Sequence, residues 1–185
     1  MLFDPKAYGA DVERLLAHDQ GGARLIPLVA GACSSPEAKA SLAKTKPAEL
    51  FPHAQSAAGA MAGLWLYFSC FEEAHKIAQS LSSHEGSLWH AIIHRQEPDS
   101  GNAAYWFRHA GDHAIFHALV KDAGSIIARH PQAEFRPSVK WDAFGFILFC
   151  ERAREQPGSD SLAAALEIQR AEWQLLFDYC ARPKS

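Results

Sequence analysis

Seven of the ten histidines (His75, His84, His90, His94, His109, His113 and His117) fall between positions 75 and 117, where even scatter would place about two. Histidine ligates transition metals and moves protons near neutral pH, so this crowding points to chemistry. The densest part runs from Glu85 to His117, around a Pro98-Asp99-Ser100-Gly101 turn. On a helix over 86–97, His90, His94 and Glu97 follow at steps of four and three and share one stripe, opposite Leu88, Trp89, Ile92 and Ile93. Two imidazoles and a carboxylate in that register can close on one divalent cation such as zinc. The pattern is not the HExxH of metalloproteases, because Ala91 stands where the general-base glutamate belongs. The competing reading makes the three residues the solvated face of an amphipathic helix.

The residues that follow could complete such a site. Asp99 and Asn102 suit the start of a second helix, where either can accept backbone N–H bonds; Asp99 is also a candidate fourth ligand. Tyr105, Trp106 and Phe107 are adjacent and point around three sides of that helix, so at least one meets solvent or lines a cleft. Arg95 and Arg108 are candidates to grip a carboxylate or phosphate, unless nearby acids such as Glu85, Glu97 or Asp99 occupy them. His113 and His117 stand four apart behind Asp112, which reads as an N-cap, while Gly111 separates them from His109. His75 lies on a helix whose Phe71, Ala74, Ile77 and Ala78 mark it as a packing element. No nucleophile elbow, phosphate-cradling loop or dinucleotide fingerprint is present. Hydrolysis at a metal-bound water is compatible with the cluster, but no motif assigns an enzyme.

The elements that must position these residues read as helices throughout. Three- and four-residue apolar spacing recurs, with proline and glycine between segments, and strand-like alternation is nearly absent. Asp4-Pro5 and Ser35-Pro36 are cap-then-proline signals that open helices ending near Gly21-Gly22 and Lys44. A short helix is expected over 23–32, disturbed by Pro27. A small, apolar central helix is expected over 54–70 and an amphipathic one over 71–81. Further helices are expected at 85–97, 102–110, 113–129, 138–156 and 160–181. The run from Val139 to Cys150 is nearly all apolar and reads as deeply buried. Trp65, Phe68, Phe144, Ile147, Leu148 and Trp173 are expected in one core. The sum is one all-α domain over 1–185, a compact multi-helix fold of about nine helices without a sheet. The Ala103, Trp106, Ala110 spacing also fits a helical-repeat-like unit.

Composition narrows the function classes. The 185 residues are 48% hydrophobic and 21% charged with a net charge of −3, which is ordinary globular composition. No basic tract marks a nucleic-acid partner. The longest apolar run, Ala57 to Phe68, is too short to span a bilayer, and the first residues lack the pattern of a signal peptide. Cys33, Cys70, Cys150 and Cys180 are far apart in sequence and read as reduced thiols, which places the expected protein in the cytoplasm.

One stretch carries a resemblance. The run Gly86, Trp89-His90, His94-Arg95, Glu97-Pro98-Asp99, Asn102-Ala103, Tyr105-Trp106-Phe107-Arg108 and Gly111-x-His113 with Phe116 resembles a family of uncharacterised bacterial and fungal proteins. The upstream segment Phe71 to Gln79 is similar to what precedes that motif in the family, so the likeness covers roughly 64–117. It implies an all-α domain and no particular activity. Family members tend to have Arg and Pro where this chain has His109 and His117, which favours His90, His94 and His113 as the working histidines. The expected function is a His/Arg/aromatic cleft over 85–117 that binds a divalent metal or a small anionic ligand. The second candidate is a helical-repeat-like protein-interaction module in which exposed aromatics and arginines form the hot spot.

Overall fold

The computed structural model describes residues 3–183. Helix makes up 66% of it, in ten α-helices, nine of them of seven or more residues, and two short 3-10 turns, and the described residues contain no strand or sheet. In chain order they are α1 (Ala10–Ala17), α2 (Pro36–Leu42), α3 (Pro47–Leu50), α4 (Ala57–Tyr67), α5 (Phe71–Ser80), α6 (His84–Gln96), α7 (Ser100–Ala110), α8 (Phe116–Arg129), α9 (Ala143–Arg154) and α10 (Asp160–Ala181). Their starts follow side-chain chemistry. Ser35, Asp99, Asp142 and Ser159 each accept a backbone N–H of the first turn, from Ala38, Asn102, Gly145 and Leu162. Each such cap stabilises its helix by about 1 kcal/mol. No helix among the described residues is long and apolar enough to cross a membrane.

Two helices form the centre. α4 is buried from Gly59 to Tyr67 and α6 from Gly86 to Gln96. Small residues let them approach: a Cβ on Gly63 would stand 2.8 Å from Cζ2 of Trp89, and the Gly63 carbonyl accepts a 2.8 Å bond from Trp173 Nε1. Helix α10 returns over α4, α8 and α9, and Tyr8 from the first turn donates to its Asp178 at 2.6 Å. Ser56 N–H donates to the Cys180 carbonyl at 2.9 Å there. This long-range closure differs from a repeat stack, in which each unit touches only its neighbours.

Four sequence expectations are corrected. The segment over 23–32 is not a helix. Pro27 removes a donor, and the backbone groups are satisfied by distant partners instead. Gln169 Nε2 donates to the Ile26 and Pro27 carbonyls, Arg154 donates to the Leu28 carbonyl, and Ala30 N–H donates to the Gln96 carbonyl. Second, the apolar run on α9 is not buried on all sides. Phe146, Ile147, Phe149 and Cys150 face inward, whereas Phe144 is 43% and Leu148 51% exposed. Trp65, Phe68, Ile147 and Trp173 are in the core as expected.

Third, Cys33 and Cys70 are joined as a disulfide, while Cys150 and Cys180 are free and buried. The pairing follows from folding: Ser34 N–H donates to the Phe68 carbonyl at 2.7 Å, which lays the 33–35 segment beside the start of α5. Fourth, α8 begins at Phe116 rather than at His113, and Asp112 does not cap it. His113 sits before the helix, where its Nδ1 accepts from Ile115 N–H at 3.4 Å.

Candidate functional site

The stripe expected on α6 exists, but its two histidines face the interior while Glu97 is exposed. His90 is 3% and His94 9% exposed, so the solvated-face reading of these histidines does not hold. They meet a third imidazole that sequence reasoning assigned to packing. His75, on α5, brings its Nε2 to 2.7 Å from Nε2 of His90. One candidate ligand nitrogen from each of His75, His90 and His94 can be chosen so that all lie within 4.8 Å of one another. The rings pack closely: His90 stacks on His94 with centroids 4.8 Å apart, and His75 lies 4.6 Å and 5.1 Å from them.

The local fold explains the convergence. The turn through Ser82 and Ser83 folds α6 back against α5, and Ser83 caps α6 by accepting from Gly86 N–H. His75 and His90 stand equally far on either side of that turn, so an antiparallel pair of helices sets them face to face. Asp99 then caps α7, its Oδ1 accepting from Asn102 N–H at 3.0 Å and its Oδ2 from the Asn102 side chain at 2.7 Å. Helix α7 therefore returns along α6 and lays the Trp106 indole on His90, 4.1 Å between centroids and 27° from parallel.

Glu97 completes the cluster from the side. Its carboxylate is 3.1 Å from His94 Nδ1, off line for a hydrogen bond, and 4.0 Å from His75 Nδ1. It thus sits by the Nδ1 edges of His94 and His75 and is not among the groups whose ligand atoms converge. Burial pushes the His90 imidazole down to about 4, reinforced by the neighbouring His75 and His94. Burial also lowers His94, against the opposing pull of Glu97. Both rings are therefore neutral near pH 7 and offer lone pairs without first losing a charge. His90 Nδ1 is buried without a partner.

The spacing of the three nitrogens can be compared with that of a tetrahedral metal site. Nitrogens bound to one zinc at about 2.0–2.1 Å stand roughly 3.3 Å apart at tetrahedral corners. To match that spacing the 2.7 Å His75–His90 pair would open by about 0.6 Å, and no other separation would close by more than about 1.5 Å.

The other expected site residues divide. Asp99 is close enough for its charge to act on His94, and its N–H donates to the His94 carbonyl at 3.0 Å. Asn102 is occupied by Asp99. Tyr105 is exposed, packed against Trp106 and His109. Arg95 points the other way, fully buried, with Nη2 2.5 Å from Glu172 and 3.3 Å from Gln169. It binds none of the acids proposed from sequence, and it is turned from the histidines. Arg108 lies over the Phe144 ring at 5.3 Å. His113 is buried against Tyr179, 4.6 Å between centroids, and its charge neighbours are Glu85 and His84 at the first turn of α6, away from His90 and His94. His117 is exposed on α8, so the His113–His117 pair does not form.

A surface depression of about 470 Å³ lies elsewhere, lined by Asp11, Arg14, His18, Thr45 and Glu49 among others, with no converging ligand set. A scan against protein-family models finds no match, and searches of the curated proteins and the solved structures find no similar one.

Proposed function

We propose that this protein binds one divalent transition metal, zinc by the nature of its donors, through His75, His90 and His94, with the Glu97 carboxylate beside them. The carrying observation is the convergence of three imidazoles from two helices, two of them buried and held neutral. Without a metal, His90 Nδ1 and His94 Nδ1 are buried with no hydrogen-bond partner, which the protein interior normally avoids. A metal is favoured over a small anion because Arg95 is paired with Glu172 and Arg108 stacks on Phe144, leaving carboxylates as the charges beside the triad. Titration calorimetry of untagged, chelator-treated protein tests this. One equivalent of zinc is expected for the native chain and for His53→Ala, and none for His90→Ala or His75→Ala. Equal zinc binding by His75→Ala and the native chain would overturn it.

A second reading, the interaction module, is favoured by one observation. Exposed Phe144 and Leu148 continue past Ile147 and Ala104 into a shallow apolar strip between α7 and α9. The two readings separate experimentally, since Leu148→Glu would abolish any association through that strip without changing zinc stoichiometry.

A further inference from the structure

Resting on the metal reading above, we infer that the Cys33–Cys70 disulfide is a redox latch on the triad. Closed, it holds α5 where His75 meets His90 and His94; opened by a thiol reductant, it lowers the affinity for zinc. The three histidines are unequally anchored. His90 and His94 stand on α6, which is buried from Gly86 to Gln96, started by the Ser83 cap and pinned by Arg95 to Glu172 on α10. His75 stands on α5, which buries only Ala74 and Ala78 and has no side-chain cap. The N-cap of α5 is Cys70, so the disulfide fastens its first turn, and His75 lies in the second.

The bridge joins that turn to a strap that also reaches the other helix. Ala30 N–H donates to the carbonyl of Gln96, the last residue of α6, and Ser34 N–H donates to that of Phe68, both at 2.7 Å. The strap therefore ties the start of α5 to the end of α6, where His94 and Glu97 stand. Residues 29–34 are exposed apart from the half-buried Cys33, so little packing holds the strap once the bridge opens. A further tie between this segment and α5, Lys39 to Glu73 at 2.8 Å, is a partly exposed ion pair, a kind that contributes little.

The exchange is confined to this bridge, because Cys150 and Cys180 are free but buried. Cys70 is 2% exposed, so an incoming thiolate reaches the bridge from the Cys33 side. It forms a mixed disulfide with Cys33 and releases the Cys70 thiolate, which takes up a proton. A second thiol then attacks the reductant's sulfur in that mixed disulfide. Cys33 leaves as a thiolate and is protonated, and the reductant departs as its own disulfide, so one disulfide is reduced and one is formed.

Zinc affinity, read by competition with a chromophoric chelator, is compared between the oxidised full chain and Cys33→Ser/Cys70→Ser. Both are expected to keep a helical far-UV spectrum, and the variant to bind zinc about five- to 150-fold more weakly, the ordinary span of coupling between two sites. Reciprocity gives a second readout on the native chain. With free zinc held saturating, the reduction midpoint of the bridge in glutathione buffers should fall by about 30 mV for each tenfold of that difference, and should stay put in His90→Ala. Equal zinc affinity in the folded variant, or a midpoint that zinc leaves unchanged or raises, would overturn the latch and leave the metal reading intact. So would loss of the helical spectrum on reduction, which would make the bridge a brace of the whole fold. Failure of the oxidised native chain to bind zinc would refute the metal reading itself and the latch with it.

Discussion

Removing Glu172 should expose how much of this fold hangs on one buried charge pair. Arg95 on α6 and Glu172 on α10 are both fully buried, joined at 2.5 Å. Arg95 has a second acceptor, Gln169, at 3.3 Å, and lies over the Phe146 ring at 4.7 Å. Its Nε and Nη1, and Oε1 of Glu172, have no partner. In Glu172→Ala the guanidinium keeps its charge but loses its counter-ion in a site with few other acceptors. Breaking such a pair from one side costs about 3–5 kcal/mol. At about 2–4 °C per kcal/mol for a domain of this size, the melting temperature should fall by roughly 6–20 °C. The double variant Arg95→Met/Glu172→Leu removes both charges while keeping volume, and should lie near the native value or up to about 4 kcal/mol above it. Urea denaturation of the native, two single and double variants gives the cycle. A Glu172→Ala cost under about 1 kcal/mol, the scale of exposed pairs, would refute the reasoning.

Other outcomes follow from the same geometry. Phe146→Ala, which empties a buried ring site against Phe135, Trp141 and Phe149, should cost about 3–5 kcal/mol. Phe144→Ala, at an exposed position of the same helix, should cost about 1 kcal/mol or less; equal melting shifts for the two would contradict the orientation of α9. The metal-free protein should lose stability in acid. Because folding lowers His90 from 6.5 to about 4, its contribution is present above pH 6.5 and is lost as pH falls toward 4, by at most about 3 kcal/mol. Flat chemical stability between pH 7 and 4 would count against a buried, neutral His90. Zinc at about one hundred times its dissociation constant should stabilise the native chain by about 2.7 kcal/mol, and His75→Ala should show no such gain.

The parts of the fold legible in the sequence were those written locally. The α5–α6–α7 succession, the Asp99 cap and the His90–His94–Glu97 stripe all follow from spacing within one helix or one turn. What was missed is written across helices. His75 pairs with His90 at fifteen residues' separation, beyond any register along a single helix. The available signal was their symmetric placement about the Ser82–Ser83 turn, given two antiparallel helices. Local pattern offers Arg95 only an anionic ligand or a nearby acid, because its true partner lies 77 residues away on α10. In α9 every candidate face was apolar, so periodicity could not choose between Phe146 inward and Phe144 outward. The 23–32 segment looked helical because its backbone partners, Gln169, Arg154 and Gln96, are invisible to local pattern.

X-ray absorption at the zinc edge of the zinc-loaded native chain tests the triad most directly. The expected first shell has three nitrogens at about 2.0–2.1 Å, with the outer-shell scattering of imidazole rings, and one lighter-atom ligand at a similar distance. A shell of six oxygens without imidazole scattering, or a sulfur at about 2.3 Å, would place the metal elsewhere and contradict a centre built from His75, His90 and His94.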